Sequence, residues 1–127
     1  MKPLLAACLL IPGLALADGA VTVRLPDLSE VADADLWLSL TNIVTAIVIG
    51  QNCTDYLLTD GEWALLNGSA DVLAARLGLT TKAYEAQYWD PAFALLDSDF
   101  ACSVGGPDVR PLLDELIDLG GSTVPVN

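Results

Sequence analysis

The sequence predicts an all-α protein, a small bundle of about four or five short helices that is tied by one disulfide and follows a cleaved signal peptide. Apolar residues recur at spacings of three and four along most of the chain, which is the period of an amphipathic helix. Capping residues and glycines separate these stretches, as expected where helices begin and end. Cys53 and Cys102 both lie within the helical region and can tie it together.

Residues 1–17 have the three parts of a secretory signal peptide. Lys2 supplies a positive start, residues 4–16 supply the apolar core, and a small-x-small pattern ends at Ala17. An alternative is a bacterial lipoprotein box ending at Cys8, although that cysteine would then lie inside the apolar run. We expect cleavage after Ala17 and a periplasmic or secreted protein.

The chain is strongly acidic. It has 17 Asp and Glu, five Lys and Arg, and no histidine. Loss of residues 1–17 removes one lysine and leaves four basic side chains against 17 acidic ones, a net charge of −13. This charge argues against binding to nucleic acid, which depends on Lys and Arg at phosphates, and against anionic membranes. Solubility explains the charge by default, and a basic protein partner or cations are the alternatives.

Cys53 and Cys102 are the two cysteines of the processed chain. Exported proteins with an even number of cysteines usually pair them. Closing a loop of about 50 residues stabilises by about 4 kcal/mol in the chain-entropy model. Zinc would need more thiolate or imidazole ligands, and a redox pair would have closer cysteines. We therefore predict a structural Cys53–Cys102 disulfide, no metal and no cofactor.

Residues 18–32 are predicted to form a flexible N-terminal arm. The strand-like alternation from Val21 to Leu25 ends at Pro26, and no partner strand follows. The arm should be mobile or lie along the surface. The helical domain should span residues 33–121, and residues 122–127 should form a tail with nothing to pack against.

The first helix is predicted to begin near Ala34 with Asp33 as its N-cap, and to end or kink at Gly50. Five apolar residues recur at helical spacing: Leu36, Leu40, Ile43, Val44 and Ile47. The apolar run over residues 36–50 is 15 residues long and has polar interruptions. That is short for a membrane span, so we predict a buried helix and no stable membrane insertion.

The strongest helix signal is a capping box at Thr59 and Glu62. A stripe at spacings of three and four follows it: Trp63, Leu66, Ala70, Leu73 and Leu77. Gly78 is the candidate C-cap. Because Gly68 interrupts the stripe, one helix with a weak point and two short helices both fit.

Three further helical stretches are predicted before the tail. Thr80 should cap the first of them, and Asp90 with Pro91 should start the second. That second helix should carry Phe93, Leu96 and Phe100 to Cys102, and a loop over residues 103–107 should follow. The last helix should bury Val109, Leu112, Leu113, Leu116 and Ile117, and it should stop at Gly120 and Gly121.

The residue types argue against catalysis, and we predict that the protein is not an enzyme. Without histidine there is no Ser-His or Cys-His nucleophile. Two carboxylate pairs have the chemistry of a glycosidase: Asp97 with Asp99, and Asp114 with Glu115. Solvated helix ends explain both pairs better. Asp33 and Asp35 lack the rest of a calcium-binding loop.

An aromatic group is the candidate for partner binding: Trp63, Tyr84, Tyr88 and Trp89. These side chains could line a groove for a ligand or protein partner. Aromatic residues at helical spacing more often belong to the core, so both interpretations stay open.

The stretch from Cys53 to Leu57, CTDYL, resembles one found in small periplasmic acid-stress chaperones of the HdeA type. In those proteins a second cysteine follows within a compact helical domain, much as Cys102 does here. The resemblance implies a helical holdase for unfolded client proteins. Two departures are a lower lysine content and the additional apolar helix over residues 36–49.

The charge also favours an acid response. At about pH 3 most of the 17 carboxylates would be protonated. Caps at Asp33, Asp90 and Asp108 would then complement their helices less well, while the disulfide would persist. An acid-opened holdase is thus one hypothesis. The alternative is a constitutive binding module, such as an inhibitor or immunity protein for a basic envelope partner. The oligomeric state is left open.

Overall fold

The computed structural model describes residues 21–126. The predicted cleavage after Ala17 and the lipoprotein alternative at Cys8 lie outside the described residues. Within residues 21–126 the regular structure is helical and contains no strand, which confirms the all-α class. The helices are α1 (Leu36–Asn52), α2 (Asp60–Arg76), α3 (Thr81–Tyr84), α4 (Asp90–Ala94), α5 (Ala101–Gly105) and α6 (Val109–Asp118).

Helix α1 is the centre of the fold. It packs most extensively against α2 and also contacts α4, α5 and α6. Its inward side chains, including Leu40, Val44 and Ile47, are completely buried. The stretch Asp33–Asn52 is long and apolar enough to cross a membrane by length and composition, and half of its most apolar window is buried inside the fold. A helix in the core of a fold can have the same length and apolar composition, and α1 packs against four other helices here.

The two ends of α1 correct the sequence prediction. The helix begins at Leu36 after a 3-10 turn (Asp33–Asp35), and Asp33 makes no capping hydrogen bond. Instead, the Asp33 carboxylate accepts a hydrogen bond from Arg76 Nη2 at 3.1 Å. Gly50 neither ends nor kinks the helix, which continues to Asn52. A Cβ at Gly50 would lie 2.4 Å from Leu58 Cγ, so the glycine is needed for close packing.

Helix α2 confirms the capping box and resolves the weak point at Gly68. The Glu62 amide donates to Thr59 Oγ1, and the Thr59 amide donates to the Glu62 carboxylate. One continuous helix passes through Gly68, where a Cβ would lie 2.5 Å from the Leu25 side chain. Gly78 has a φ of +67° and closes the helix in a Schellman motif, with the Leu79 amide bonded to the Ala74 carbonyl.

The predicted restart at Asp90 is wrong. Thr80 caps α3 as expected, but α3 continues into a π turn (Glu85–Trp89) and then directly into α4. Asp90 makes no capping hydrogen bond, and its amide donates to the Glu85 carbonyl five residues earlier. Pro91 cannot donate to the carbonyl four residues before it and crowds that carbonyl in a regular helix. The wider turn before Pro91 therefore lets the helix continue.

Residues 95–108 also differ from the prediction. Helical structure ends at a 3-10 turn (Leu95–Asp97), Ser98 is extended, and α5 starts after Phe100. Phe100 is therefore exposed and does not belong to a core stripe. The expected loop over residues 103–107 is instead the end of α5 and a 3-10 turn (Gly106–Asp108). This turn packs so closely on Tyr56 that a Cβ at Gly106 would lie 2.1 Å from the ring.

The last helix is confirmed, and the tail prediction is wrong. Helix α6 buries Val109, Leu113 and Leu116, whereas Ile117, which was also expected to be buried, is exposed. The helix ends at Asp118, and Gly120, whose φ is +105°, follows it. The chain then runs beside the N-terminal arm. The Ser122 amide donates to the Arg24 carbonyl at 2.9 Å, and the Val126 amide donates to the Thr22 carbonyl at 2.7 Å. The tail therefore has a partner. It is the extended stretch of the arm from Val21 to Leu25, for which the sequence offered no partner strand, and whose carbonyls accept these two hydrogen bonds.

The arm lies along the surface, which is the second of its two predicted alternatives. Val23 and Leu28 are buried, and the Asp27 amide donates to the Leu119 carbonyl at 2.9 Å. Arg76 donates to the Leu28 and Val31 carbonyls, both at 2.9 Å. Residues 21–32 thus pack onto the helical domain that was predicted to begin at residue 33.

The predicted disulfide joins Cys53, which directly follows α1, to Cys102 in α5, with 5.5 Å between the two Cα atoms. Cys53 is buried and Cys102 is half-buried. The bond therefore attaches α5 to the end of the central helix.

Candidate functional site

Three of the four predicted aromatic residues come together. The Tyr84 ring lies 6.1 Å from Tyr88 and 6.0 Å from Trp89 between ring centroids, both edge to face. Phe93, which the sequence interpretation assigned to another helix, joins them at 6.2 Å from Trp89. Tyr88 is only 8% exposed, while Tyr84 and Trp89 are half-buried against the core. This packing favours the core interpretation for these three residues.

The Tyr84 hydroxyl is the polar atom inside this cluster. It is buried, and Trp89 approaches it without completing a hydrogen bond. Burial raises the pKa of Tyr84; the Trp89 side chain opposes this and the Asp71 carboxylate adds to it. Burial also raises the pKa of Asp71, although that residue keeps much of its surface exposed. Neither Tyr84 nor Asp71 lines the depressions of the described residues that follow below.

Trp63 lies elsewhere, in the first turns of α2. The ring pairs formed within residues 21–126 do not include it. Its indole nitrogen is buried without a hydrogen-bond partner in the described part of the chain. The ring borders a wide, open depression of about 520 Å³ next to Gly50 and Leu58. Partner binding by Trp63 stays a prediction.

A different surface has the stronger features of a binding site. Leu95 is 47% exposed, and Phe100 and Val104 are each 69% exposed. They line a depression of about 350 Å³ whose floor includes Ile49 of the central helix. We call this depression the apolar groove, and its full lining is Thr45, Ile49, Leu95, Ser98, Phe100, Ala101, Val104, Gly105 and Asp108.

The local structure explains why these apolar side chains point outward. Ser98 stops the preceding helical run, and its hydroxyl accepts from the Phe100 amide at 3.1 Å. The Val104 amide donates to the Phe100 carbonyl at 2.9 Å, so these two residues share one helix face. Cys102 lies two residues before Val104, almost on the opposite face. Because the disulfide holds Cys102 toward α1, Phe100 and Val104 face solvent.

The apolar groove continues along α1. It shares Thr45, Gly105 and Asp108 with a second depression of about 310 Å³. That depression shares Asn42 and Glu115 with a third of about 110 Å³. The three together are called the α1 groove. Its lining includes carboxylates and no basic residue.

The charges around the α1 groove are negative. Asp108 and Glu115 line it, and Ser98 is flanked by the exposed Asp97 and Asp99. The arginines of the described chain bind elsewhere within the fold. Arg24 donates to the Gly120 carbonyl, Arg76 binds the arm, and Arg110 binds Glu62. The groove surface is therefore left without a neutralising arginine.

Glu62 and Arg110 link the start of α2 to α6. Burial alone would raise the pKa of Glu62. The Thr59 amide and the Arg110 guanidinium bind its carboxylate, outweigh burial and lower the pKa. Hydrogen bonding to Glu62 in turn raises the pKa of Arg110.

The two carboxylate pairs that the sequence suggested for catalysis stay in water. Asp97 and Asp99 are exposed, and so are Asp114 and Glu115. Arg110 approaches Asp114 at 4.0 Å. Across residues 21–126, no group of three or more His, Cys, Asp and Glu side chains is arranged to hold a metal ion. The prediction that the protein is not an enzyme stays a prediction.

Comparison with known proteins finds no match. No family model, no curated protein and no solved structure matches the chain. The resemblance of residues 53–57 to HdeA-type chaperones therefore stays a prediction.

Proposed function

We propose that this protein is a non-enzymatic, exported binding module that recognises a basic protein partner. One observation carries the proposal: Phe100 and Val104 are both 69% exposed, and they line one groove with Leu95. Single exposed apolar residues are common, but adjacent ones that form a groove with a polar edge are typical of interaction sites.

The energetics favour a partner at this surface. Covering apolar area releases about 25 cal/mol per Å², and large aromatic and aliphatic anchors contribute most to protein interfaces. Val104 projects from α5 and Phe100 from the residue just before it, and the disulfide attaches α5 to the central helix. A surface that is already ordered loses less conformational entropy when it binds.

The charge indicates the chemistry of the partner. The carboxylates of Asp108 and Glu115 lie beside the apolar side chains, and the processed chain carries a net charge of −13. Complementary potentials speed encounter and disfavour partners of the same sign. A partner with basic residues around an apolar anchor fits this surface best.

The acid-stress holdase is the second candidate. Asp33, Asp90 and Asp108 lie in first turns, where a carboxylate can complement a helix N-terminus, but none of them makes a capping hydrogen bond. Glu62 instead favours this candidate. Its pKa is lower in the folded protein than in the unfolded chain, so ionised Glu62 stabilises the fold at pH values above the unfolded pKa. That stabilisation is lost as the pH falls through the folded value, which loosens the link to Arg110. The apolar groove, in contrast, is open without acid.

Two measurements on the oxidised protein test the proposal against the holdase. The first is capture of envelope proteins near neutral pH by the wild type and by Phe100→Ala with Val104→Ser. We expect one stoichiometric basic partner that the variant loses. The second is light scattering of an aggregating client protein in the presence of this protein, at about pH 7 and at about pH 3. Protection confined to the acid condition, without a neutral-pH partner, would favour the holdase.

A further inference from the structure

We propose that the α1 groove binds an amphipathic helix of the partner, with its apolar residues in the apolar groove and its basic residues beside Asp108 and Glu115. This inference rests on the proposed function and adds the form and orientation of the bound segment.

The dimensions of the α1 groove fit a short helix. Six residues of α1 line it, from Ser39 to Ile49: Ser39, Asn42, Ile43, Thr45, Ala46 and Ile49. Ten residues separate the first from the last, which corresponds to about 15 Å along a helix. A partner helix of about ten residues, or three turns, covers that length. An amphipathic helix lying in a groove between helices is an established mode of peptide recognition.

The side chains divide the α1 groove into two chemical parts. At one end Leu95, Phe100 and Val104 offer apolar contact. Asp108 lies where the apolar groove meets the second depression, and Glu115 lies further along, in the same depression as Asn42. The two carboxylates lie seven residues apart, from the turn before α6 into α6, which is about 10 Å along a helix. A partner helix with lysine or arginine at positions i and i+7, and an apolar stripe beside them, matches both parts.

Charge disfavours a second copy of this chain as the occupant. Another copy brings the same net charge of −13 and the same two carboxylates to the interface. The arginines that could compensate already bind Gly120, the arm and Glu62 within their own chain. Like charges brought together at an interface cost several kcal/mol, so a basic partner is favoured.

The test uses the oxidised full chain and a fluorescent peptide of about 12 residues with a leucine stripe and lysines seven positions apart. Binding is followed by anisotropy at low and high salt. A second peptide has glutamate in place of lysine. We expect the lysine peptide to bind, to weaken as salt screens the charges, and to bind at least about tenfold more tightly than the glutamate peptide.

Matched variants locate the binding. The double variant Phe100→Ala with Val104→Ser should lower the affinity for the lysine peptide by about tenfold. Its control is Leu57→Ala with Val124→Ser, which should change the affinity by less than about twofold. The Leu57 and Val124 side chains are 61% and 67% exposed but lie outside the α1 groove.

The charge variant Asp108→Asn with Glu115→Gln should lower the affinity by about fivefold. Its control, Asp55→Asn with Glu85→Gln, removes as much charge elsewhere and should change the affinity by less than about twofold. All four variants change exposed residues, so folding should be kept.

Several outcomes would overturn the inference. Equal losses in the groove variants and their controls would show binding by diffuse charge alone. A chain dimer that the Phe100 and Val104 variant dissociates would assign the surface to a second copy. A peptide of residues 1–17 that binds as tightly as the lysine peptide would assign it to the chain's own leader. If a basic envelope partner is captured but the groove variants retain it, the proposed function stands and this binding site is wrong.

Discussion

Residues 59–78 and residues 95–108 are both mainly helical, but different forces hold them. In the first region, Thr59 and Glu62 cap α2, Leu66 and Leu73 are completely buried, and Gly78 closes the end. The caps at both ends and the buried side chains between them support the same helix.

The second region has few of these supports. Helix α5 has five residues and no side-chain cap, and none of its residues is fully buried. Val104 in α5 and Phe100 directly before it face solvent. The disulfide at Cys102 and contacts with α1 keep it in place.

The difference separates stability from recognition within one small fold. Where capping, burial and helix closure agree, the residues are explained by folding alone. Where large apolar side chains face water on a covalently fixed segment, folding does not explain them, and we propose that binding does. Four comparisons, ordered by the expected size of their effect, test this division.

Loss of the disulfide should have the largest effect. Cys102→Ser should lower the free energy of unfolding by about 4 kcal/mol in the chain-entropy model. Hydrogen exchange should accelerate in α5 far more than in α2, because α5 has little other burial. Chemical denaturation and exchange mass spectrometry measure the two effects.

Reduced wild type is the matched control, since it keeps both side chains and lacks only the cross-link. Equal protection of α5 and α2 in the reduced protein would contradict the contrast between the two regions.

Truncation of core and surface residues should separate the regions next. Leu73→Ala removes a completely buried side chain of α2 and should cost about 2–5 kcal/mol in denaturant unfolding. Phe100→Ala removes a larger side chain but should change stability by no more than about 0.5 kcal/mol, because Phe100 is 69% exposed. A cost for Phe100→Ala near that for Leu73→Ala would mean that Phe100 supports the fold.

Removal of a hydroxyl from each region gives a smaller contrast. Thr59→Ala breaks the capping box of α2 and should cost about 1 kcal/mol. Ser98→Ala removes the bond to the Phe100 amide in an exposed turn, which water can replace, and should cost less. Thermal unfolding of both variants in the same buffer makes the comparison. A larger loss for Ser98→Ala would show that the turn before α5 is a structural support after all.

The smallest effects should appear in the pH dependence of stability. Glu62 has a lowered pKa, so it stabilises the fold above the ordinary value of 4.5, and this contribution disappears as the pH falls through the folded value. Glu62→Gln should therefore flatten the loss of stability in acid. Asp71 has a raised pKa and opposes folding when ionised, so Asp71→Asn should stabilise slightly at neutral pH.

Denaturant midpoints across the acid range measure both pH effects. An unchanged acid slope in Glu62→Gln would remove the observation that favours the acid-stress holdase.

The sequence predicts those features that neighbouring residues determine. The capping box at Thr59 and the closure at Gly78 depend on residues within one or two turns, and both are confirmed. The Cys53–Cys102 disulfide was predicted from the two cysteines that lie outside the predicted signal peptide, and it is confirmed as well. In each case the information lies within a few residues or in a simple count.

Long-range packing determines the features that the sequence did not reveal. Gly50 and Gly68 look like helix breaks, but they make room for Leu58 and Leu25. The helical spacing of Phe100 suggested a core position, but the turn at Ser98 interrupts the helix, and the Phe100 side chain faces solvent. The one available signal was the pair of aspartates around Ser98, which are unfavourable inside a helix and favourable in turns.

The pairing of the arm with the tail also sets an order for the completion of folding. Arg24 and Gly120, which form one of its hydrogen bonds, are 96 positions apart in the chain. Because chains are made from the N-terminus, the Arg24 and Thr22 carbonyls gain their partners only after residues 122–126 have been added. A chain truncated at Gly120 leaves both carbonyls to water. Until residues 122–126 pair with the arm, this edge of the molecule stays open.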